Sequence, residues 1–110
     1  MSTANLEPRS MILEEFTPLV GQDFLVDAAP AEIVIMLVEA YPLPANALAE
    51  RPPFLLIFRS AADIILLSGT YAMKAAGKVA KFGPDLIHLS PTNAPPRDTS
   101  GGRFYQAVFN

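Results

Sequence analysis

The stretch Glu32–Tyr41, which reads EIVIMLVEAY, decides the fold class of this chain. β-Branched residues are frequent in it, which favours a strand. Successive side chains of a strand point to opposite faces, so Ile33, Ile35 and Leu37 share one face. The residues between them are also apolar, whereas a strand with one wet face alternates apolar and polar residues. A second surface must therefore cover the outer face of this strand.

Three runs have this two-faced apolar pattern: Ile33–Val38, Phe54–Phe58 and Ile64–Leu67. Either the rest of a small closed fold or another protein chain must cover their outer faces. Turn residues separate six strand candidates, which are Asp23–Ala28, Glu32–Tyr41, Phe54–Arg59, Ile64–Leu67 with Thr70–Lys74 (one interrupted strand or two short ones), Asp85–Ser90 and Arg103–Phe109. No long helical crossover joins them, so the pattern predicts an all-β fold, a small antiparallel barrel or sandwich.

The domain organisation is simple. Residues 1–9 are predicted to be a flexible tail and residues 10–110 a single β domain. Ser10 is a candidate cap for a short N-terminal helix, and Pro18 is expected to end that helix by disfavouring helical geometry at the preceding residue. The segment Ala72–Phe82 allows two interpretations, a strand followed by a loop or a helix, and Gly77 in its middle favours the first.

The composition excludes several classes of protein. Of the 110 residues, 51% are hydrophobic and only 17% are charged, values that exclude general disorder. The absence of cysteine excludes disulfides and cysteine-based metal sites. A net charge of -3 argues against nucleic-acid binding. The sequence shows neither a signal peptide nor an apolar run long enough to span a bilayer, so we expect a cytoplasmic protein without membrane association.

Catalytic equipment is sparse. The single histidine, His88, lies within an apolar strand candidate and is expected to be a structural residue rather than a base or a metal ligand. The run DTSGG at residues 98–102 has some likeness to a serine-protease nucleophile loop but is interpreted as a turn. Gly77-Lys78 lacks the other residues of a phosphate-binding loop. The carboxylates are scattered, and we expect no catalytic residue, no cofactor and no metal.

Interaction residues are sought among the arginines and aromatics, which are enriched where proteins bind one another. The candidates are Arg59, Phe58, Tyr71 and Tyr105. Arg59 ends a very apolar strand, where it is expected to pair with Glu39 or Asp63 and seal the core, or else to anchor an interface. Three lysines, at positions 74, 78 and 81, form the only basic cluster and are interpreted as a solvated surface.

An ordered set of marks along residues 16–110 resembles a family of small uncharacterised bacterial proteins, a domain of unknown function. The marks are Phe16, Val20-Gly21, Phe24, Phe54-x-Leu56-x-Phe58-Arg59, Gly69-Thr70-Tyr71 and the terminal Tyr105-x-Ala107-Val108-Phe109-Asn110. The resemblance implies a compact β domain with no assigned activity, in the company of phage-tail-like assemblies. The chain departs from the family pattern at residues 75–83, where the family has a shorter link.

Three functions follow in order of preference. The first is a non-enzymatic structural or protein-interaction domain that buries its apolar outer faces against a copy of itself or another protein, which predicts a dimer or larger species. The second is a carrier whose strands close around a small apolar ligand, with a cavity lined by Phe24, Phe54, Phe58, Tyr71 and Tyr105. The third is an enzyme that uses carboxylates with Tyr71 or Tyr105, which would need an open cleft with two facing acids.

Overall fold

The computed structural model describes residues 9–44, 52–77, 81–96 and 98–109. These residues form the strands β1 (Asp23–Ala28), β2 (Ala31–Pro42), β3 (Phe54–Ser60), β4 (Gly69–Ala75), β5 (Asp85–Thr92) and β6 (Arg103–Phe109). The strands close into a barrel in the order β1-β2-β3-β6-β5-β4, and each neighbouring pair is antiparallel. The all-β prediction is confirmed, and of its two alternatives the barrel is the observed one.

Side chains from alternate positions of every strand fill the barrel. On β3 the inward residues are Phe54, Leu56 and Phe58, none of which has exposed surface. The ring of Phe58 meets the ring of Phe24 edge-on, with centroids 5.3 Å apart. Small barrels of this kind are filled by their own side chains, so the interior is a packed core.

Two short 3₁₀ turns, η1 (Leu13–Glu15) and η2 (Thr17–Leu19), cover one end of the barrel. Phe16 lies between them, and its ring centroid is 4.8 Å from that of Phe82. The prediction of a short helix here is confirmed, but its predicted limits are wrong. Pro18 lies within η2, where its fixed φ suits the first turn. Ile12, not Ser10, occupies the position before η1, and its N–H donates to Glu15.

An ion-pair cluster ties the start of the described chain to the barrel. Arg9 lies 2.6 Å from the Glu15 carboxylate and 2.9 Å from that of Asp85. Its guanidinium also lies 5.6 Å from the centroid of the Phe82 ring. The sequence predicts Arg9 to be part of a flexible tail, but these contacts attach it to η1 and β5. Its hydrogen bond to Glu15, with that from the Ile12 N–H, holds the pKa of the Glu15 carboxyl below its usual value.

The lowered pKa of Glu15 predicts a pH-dependent contribution to stability. It is present above the ordinary carboxyl pKa and is lost as the pH falls through the lower folded-state value. Because the Arg9 side chain is 41% exposed, solvent screens the pair, and a Glu15→Gln variant is expected to lose about 1 kcal/mol or less at pH 7. Urea unfolding of both proteins at pH 7 and pH 3 measures this, and the difference between them should shrink at pH 3. A difference that stays constant would contradict the assignment.

The outer faces of the apolar runs on β3 and β2 differ in how far they are exposed. On β3 the outward Ile57 is only 6% exposed, although it lies outside the barrel core. Pro95 and Asp98 border one depression together with Arg59 and Met36, which places the β5–β6 loop against this face. On β2, by contrast, Val34 is 51% exposed.

The predicted strand Ile64–Leu67 is not a strand. Residues 64–67 belong to the connection between β3 and β4, and the strand begins at Gly69. The strand interpretation of the ambiguous segment is confirmed where β4 continues through Ala75, while residues 78–80 lie outside the described residues. The remaining strand predictions agree with the observed bounds to within two residues.

Candidate functional site

Residues 64–67 lie between the end of β3 and the start of β4. Phe16, between η1 and η2, packs on Phe54 at the other end of β3. Leu66 points inward and joins the core. Its neighbours point the other way, so that Ile65 is 65% exposed and Leu67 is 76% exposed. We call these two side chains the aliphatic ridge. They are the most exposed large hydrophobic side chains among the described residues.

Two tyrosine hydroxyls fix the backbone under the ridge. The Tyr105 hydroxyl accepts a hydrogen bond of 3.0 Å from the buried N–H of Leu66 and donates one of 3.3 Å to the carbonyl of Ile64. The Tyr71 hydroxyl donates a hydrogen bond of 2.6 Å to the carbonyl of Leu67. The ridge therefore stands on an ordered backbone, not on a loose loop.

The rest of the connection is held in the same way. The Ile64 N–H donates to the carbonyl of Ala61 at 3.0 Å, and the Arg103 side chain donates to the carbonyl of Ala62 at 2.8 Å. The Ser60 hydroxyl, buried at the end of β3, donates to Ala61 at 3.0 Å. Contacts from both β3 and β6 thus hold the segment that carries the ridge.

An open groove of about 930 Å³ lies beside the ridge and continues onto the outer face of β1 and β4. Its lining combines apolar atoms, from the ridge, the β1–β2 hairpin and Tyr71, with about as much polar surface. Charged residues stand within the same groove: Asp27, Glu32 and Lys74. The site thus combines a fixed apolar projection with a depression of mixed polarity that carries charges of both signs.

The model of the family described as a domain of unknown function, DUF6916, matches residues 11–109. The chain belongs to the DUF6916 family. The match starts at Met11, a buried core residue, and ends at the last residue of β6, so it covers the whole barrel with η1 and η2. No curated protein and no solved structure matches the chain.

Two of the candidate interaction residues are buried in the core of this DUF6916 domain. Phe58 has no exposed surface, and Tyr105 is 2% exposed. These positions remove both side chains from any surface that a partner could touch. The rings of Phe24 and Phe54, which the carrier hypothesis places around a ligand cavity, are equally buried and pack the core instead. Tyr71 borders the groove.

Arg59 points outward from β3, not toward the end of the core. Its Nη1 atom lies 3.6 Å from a carboxylate oxygen of Asp98, and its Nη2 atom lies 3.5 Å from the sulfur of Met36. The observed ion-pair partner of Arg59 is therefore Asp98, not the predicted Glu39 or Asp63. Hydrogen bonds from Ser100, with a smaller contribution from Arg59, lower the pKa of Asp98. This ion pair links the β5–β6 loop to β3.

The remaining candidate, His88, is absent from the groove lining. His88 is exposed on β5, and its Nδ1 atom lies 3.2 Å from the hydroxyl of Thr70. In the described ranges no three histidine, cysteine or acidic residues come together as a metal site. No helix within the described part of the chain has the length and apolar character needed to cross a membrane.

Sequence reasoning missed the ridge because the apolar pattern places Ile65 and Leu67 in a strand.

Proposed function

We propose that this DUF6916 domain is a non-enzymatic protein-interaction domain whose barrel presents the aliphatic ridge to another protein surface. One observation supports this most: Ile65 and Leu67 are 65% and 76% exposed on a backbone fixed by hydrogen bonds on both sides. Exposed apolar side chains on a preordered backbone bind with little further loss of conformational entropy. The non-enzymatic part of the proposal rests on the residue inventory, which has one histidine and no cysteine.

Site-specific photo-crosslinking tests this proposal whatever the identity of the partner. A photoreactive phenylalanine analogue replaces Leu67 in one variant and Val108 in a matched control, since Val108 is 48% exposed on β6 and is absent from the groove lining. Both are expressed at native level in the cells that make the protein. We expect a discrete adduct from position 67 alone, and its yield should fall at least fivefold when Ile65→Ser is added. Equal adducts from both positions, or none from position 67, would refute the proposal.

We further propose a phage-tail-like assembly as the biological setting. The resemblance that implies this setting rests on marks spread through the barrel, from Phe16 to the end of β6. The neighbouring genes test it: a cluster of tail-assembly genes beside this one would support the setting, and a metabolic operon would speak against it.

A further inference from the structure

The β1–β2 hairpin places two acids side by side. Asp27 on β1 lies directly opposite Glu32 on β2 in the antiparallel register, and both side chains face the groove. Like charges at directly opposed positions destabilise a sheet. Within the part of the chain that the structure describes, neither acid forms an ion pair with a cation. The hairpin side of the groove therefore carries two negative charges that no ion pair balances among the described residues.

A cation lies on the same groove. Lys74 on β4 is exposed, and its Cα lies opposite that of Leu25 on β1, two positions along the strand from Asp27. It forms no ion pair within the described ranges either. One continuous groove thus has two acids along the β1–β2 hairpin and a lysine on β4, none of which forms an ion pair among the described residues.

Both the charges and the apolar surfaces of the site are complementary to a second copy of the same site. The ridge projects from one side of the groove, and Leu25, Ala28 and Ile33 line the other parts of it. A two-fold axis makes one patch contact its own copy, so a patch with both a projection and a depression can fill itself. The same rotation brings the lysine of each copy toward the acids of the other.

From these observations we propose that the occupant of the groove is a second copy of this chain, docked through a two-fold interface. Each ridge enters the apolar part of the other copy's groove, and Lys74 of each copy faces Asp27 and Glu32 of the other. This inference rests on the proposed function and names its partner. Complementary charge at such an interface fixes orientation and rejects mismatched partners, and charge reversal is therefore a direct probe of it.

The test is a charge-reversal experiment followed by sedimentation equilibrium at micromolar to 100 µM protein. Lys74→Glu makes the groove wholly acidic, and the double variant Asp27→Lys with Glu32→Lys makes it wholly basic while keeping a like-charge pair on the hairpin. We expect each variant alone to associate at least tenfold more weakly than the natural protein. An equimolar mixture of the two should form a heterodimer about as strongly as the natural protein forms its dimer.

Matched controls carry the same changes of net charge away from the groove. Lys81→Glu is the control for Lys74→Glu, and Glu14→Lys with Glu39→Lys is the control for the basic variant, since all three positions are exposed and absent from the groove lining. These controls should dimerise as the natural protein does. Far-ultraviolet circular dichroism and a cooperative unfolding transition establish that each variant is folded.

The outcomes separate this inference from the function on which it rests. A natural protein that is monomeric at 100 µM, or a mixture of the two charge variants that does not associate, overturns the two-fold interface. A discrete crosslink from position 67 to a different protein, together with a monomeric natural protein, also overturns it but leaves the interaction function standing. Loss of the crosslink and of the dimer together refutes both.

Discussion

A Phe58→Ala variant is expected to lose about 3–5 kcal/mol of unfolding free energy, the largest effect of any single change considered for this barrel. The ring is fully buried, contacts Phe24 edge-on and sits opposite Leu37 and Tyr105 on the neighbouring strands. Removing the ring leaves a cavity that the strands of a closed barrel cannot easily move to fill. Domains of this size are stable by about 5–15 kcal/mol in total, so the variant should be close to unfolding at 37 °C. Urea denaturation at 25 °C measures the loss.

Phe58→Leu is the matched control, because it keeps most of the apolar volume and should lose clearly less than the alanine variant. A loss below about 1 kcal/mol for Phe58→Ala would instead mean that the ring is accessible, as an interaction residue would be. The pair of variants therefore distinguishes the core position from the interaction role that the sequence suggested.

The strands of this barrel could be predicted because their cause is local. In β2 the β-branched residues of the run Glu32–Tyr41 predict the strand, but the apolar residues on both of its faces do not say which face is the inner one. Turn residues bound each strand, and the absence of helical crossovers excludes a parallel sheet. Closure into a barrel depends on the pairing of β1 with β4, which is a contact between distant parts of the chain. That is why the sequence alone leaves barrel and sandwich as alternatives.

The cover of the outer faces could not be predicted for the same reason. The pattern of residues 54–58 shows that Ile57 needs cover, but it does not show whether a loop or another chain supplies it. Here the β5–β6 loop reaches Arg59 on the same side of β3, through the ion pair between Arg59 and Asp98. Asp98 comes from a loop almost 40 residues farther along the chain, so nearby acids such as Asp63 were the natural but wrong choice of partner.

The ridge illustrates a subtler limit. An extended segment and a strand share the same two-residue period, and they differ only in what satisfies the backbone. In residues 64–67 the partners are side-chain hydroxyls from Tyr71 and Tyr105. Sequence reasoning selects both tyrosines as interaction residues. The structure places them under the candidate interface, where they position Ile65 and Leu67.

A Tyr105→Phe variant is expected to lose about 1–3 kcal/mol of unfolding free energy, because it leaves the buried N–H of Leu66 without a partner. The ring stays in the core, so no cavity forms and the loss reports the hydroxyl alone. The backbone under the ridge should also open more readily. We expect the amide hydrogen of Leu66 to exchange at least tenfold faster than in the natural protein, measured by nuclear magnetic resonance under native conditions.

Tyr71→Phe is the matched control for this prediction, since it removes the other hydroxyl under the ridge. The hydrogen bond from Tyr71 to Leu67 is exposed, so water can replace the lost donor, and the loss should be no more than about 1 kcal/mol. Each variant removes one tyrosine hydroxyl that bonds the backbone of residues 64–67, and the two hydrogen bonds differ mainly in burial. If Tyr71→Phe proved as costly as Tyr105→Phe, or if the Leu66 amide stayed equally protected in both, the Tyr105 hydroxyl would not be what holds Ile65 and Leu67 in their exposed positions.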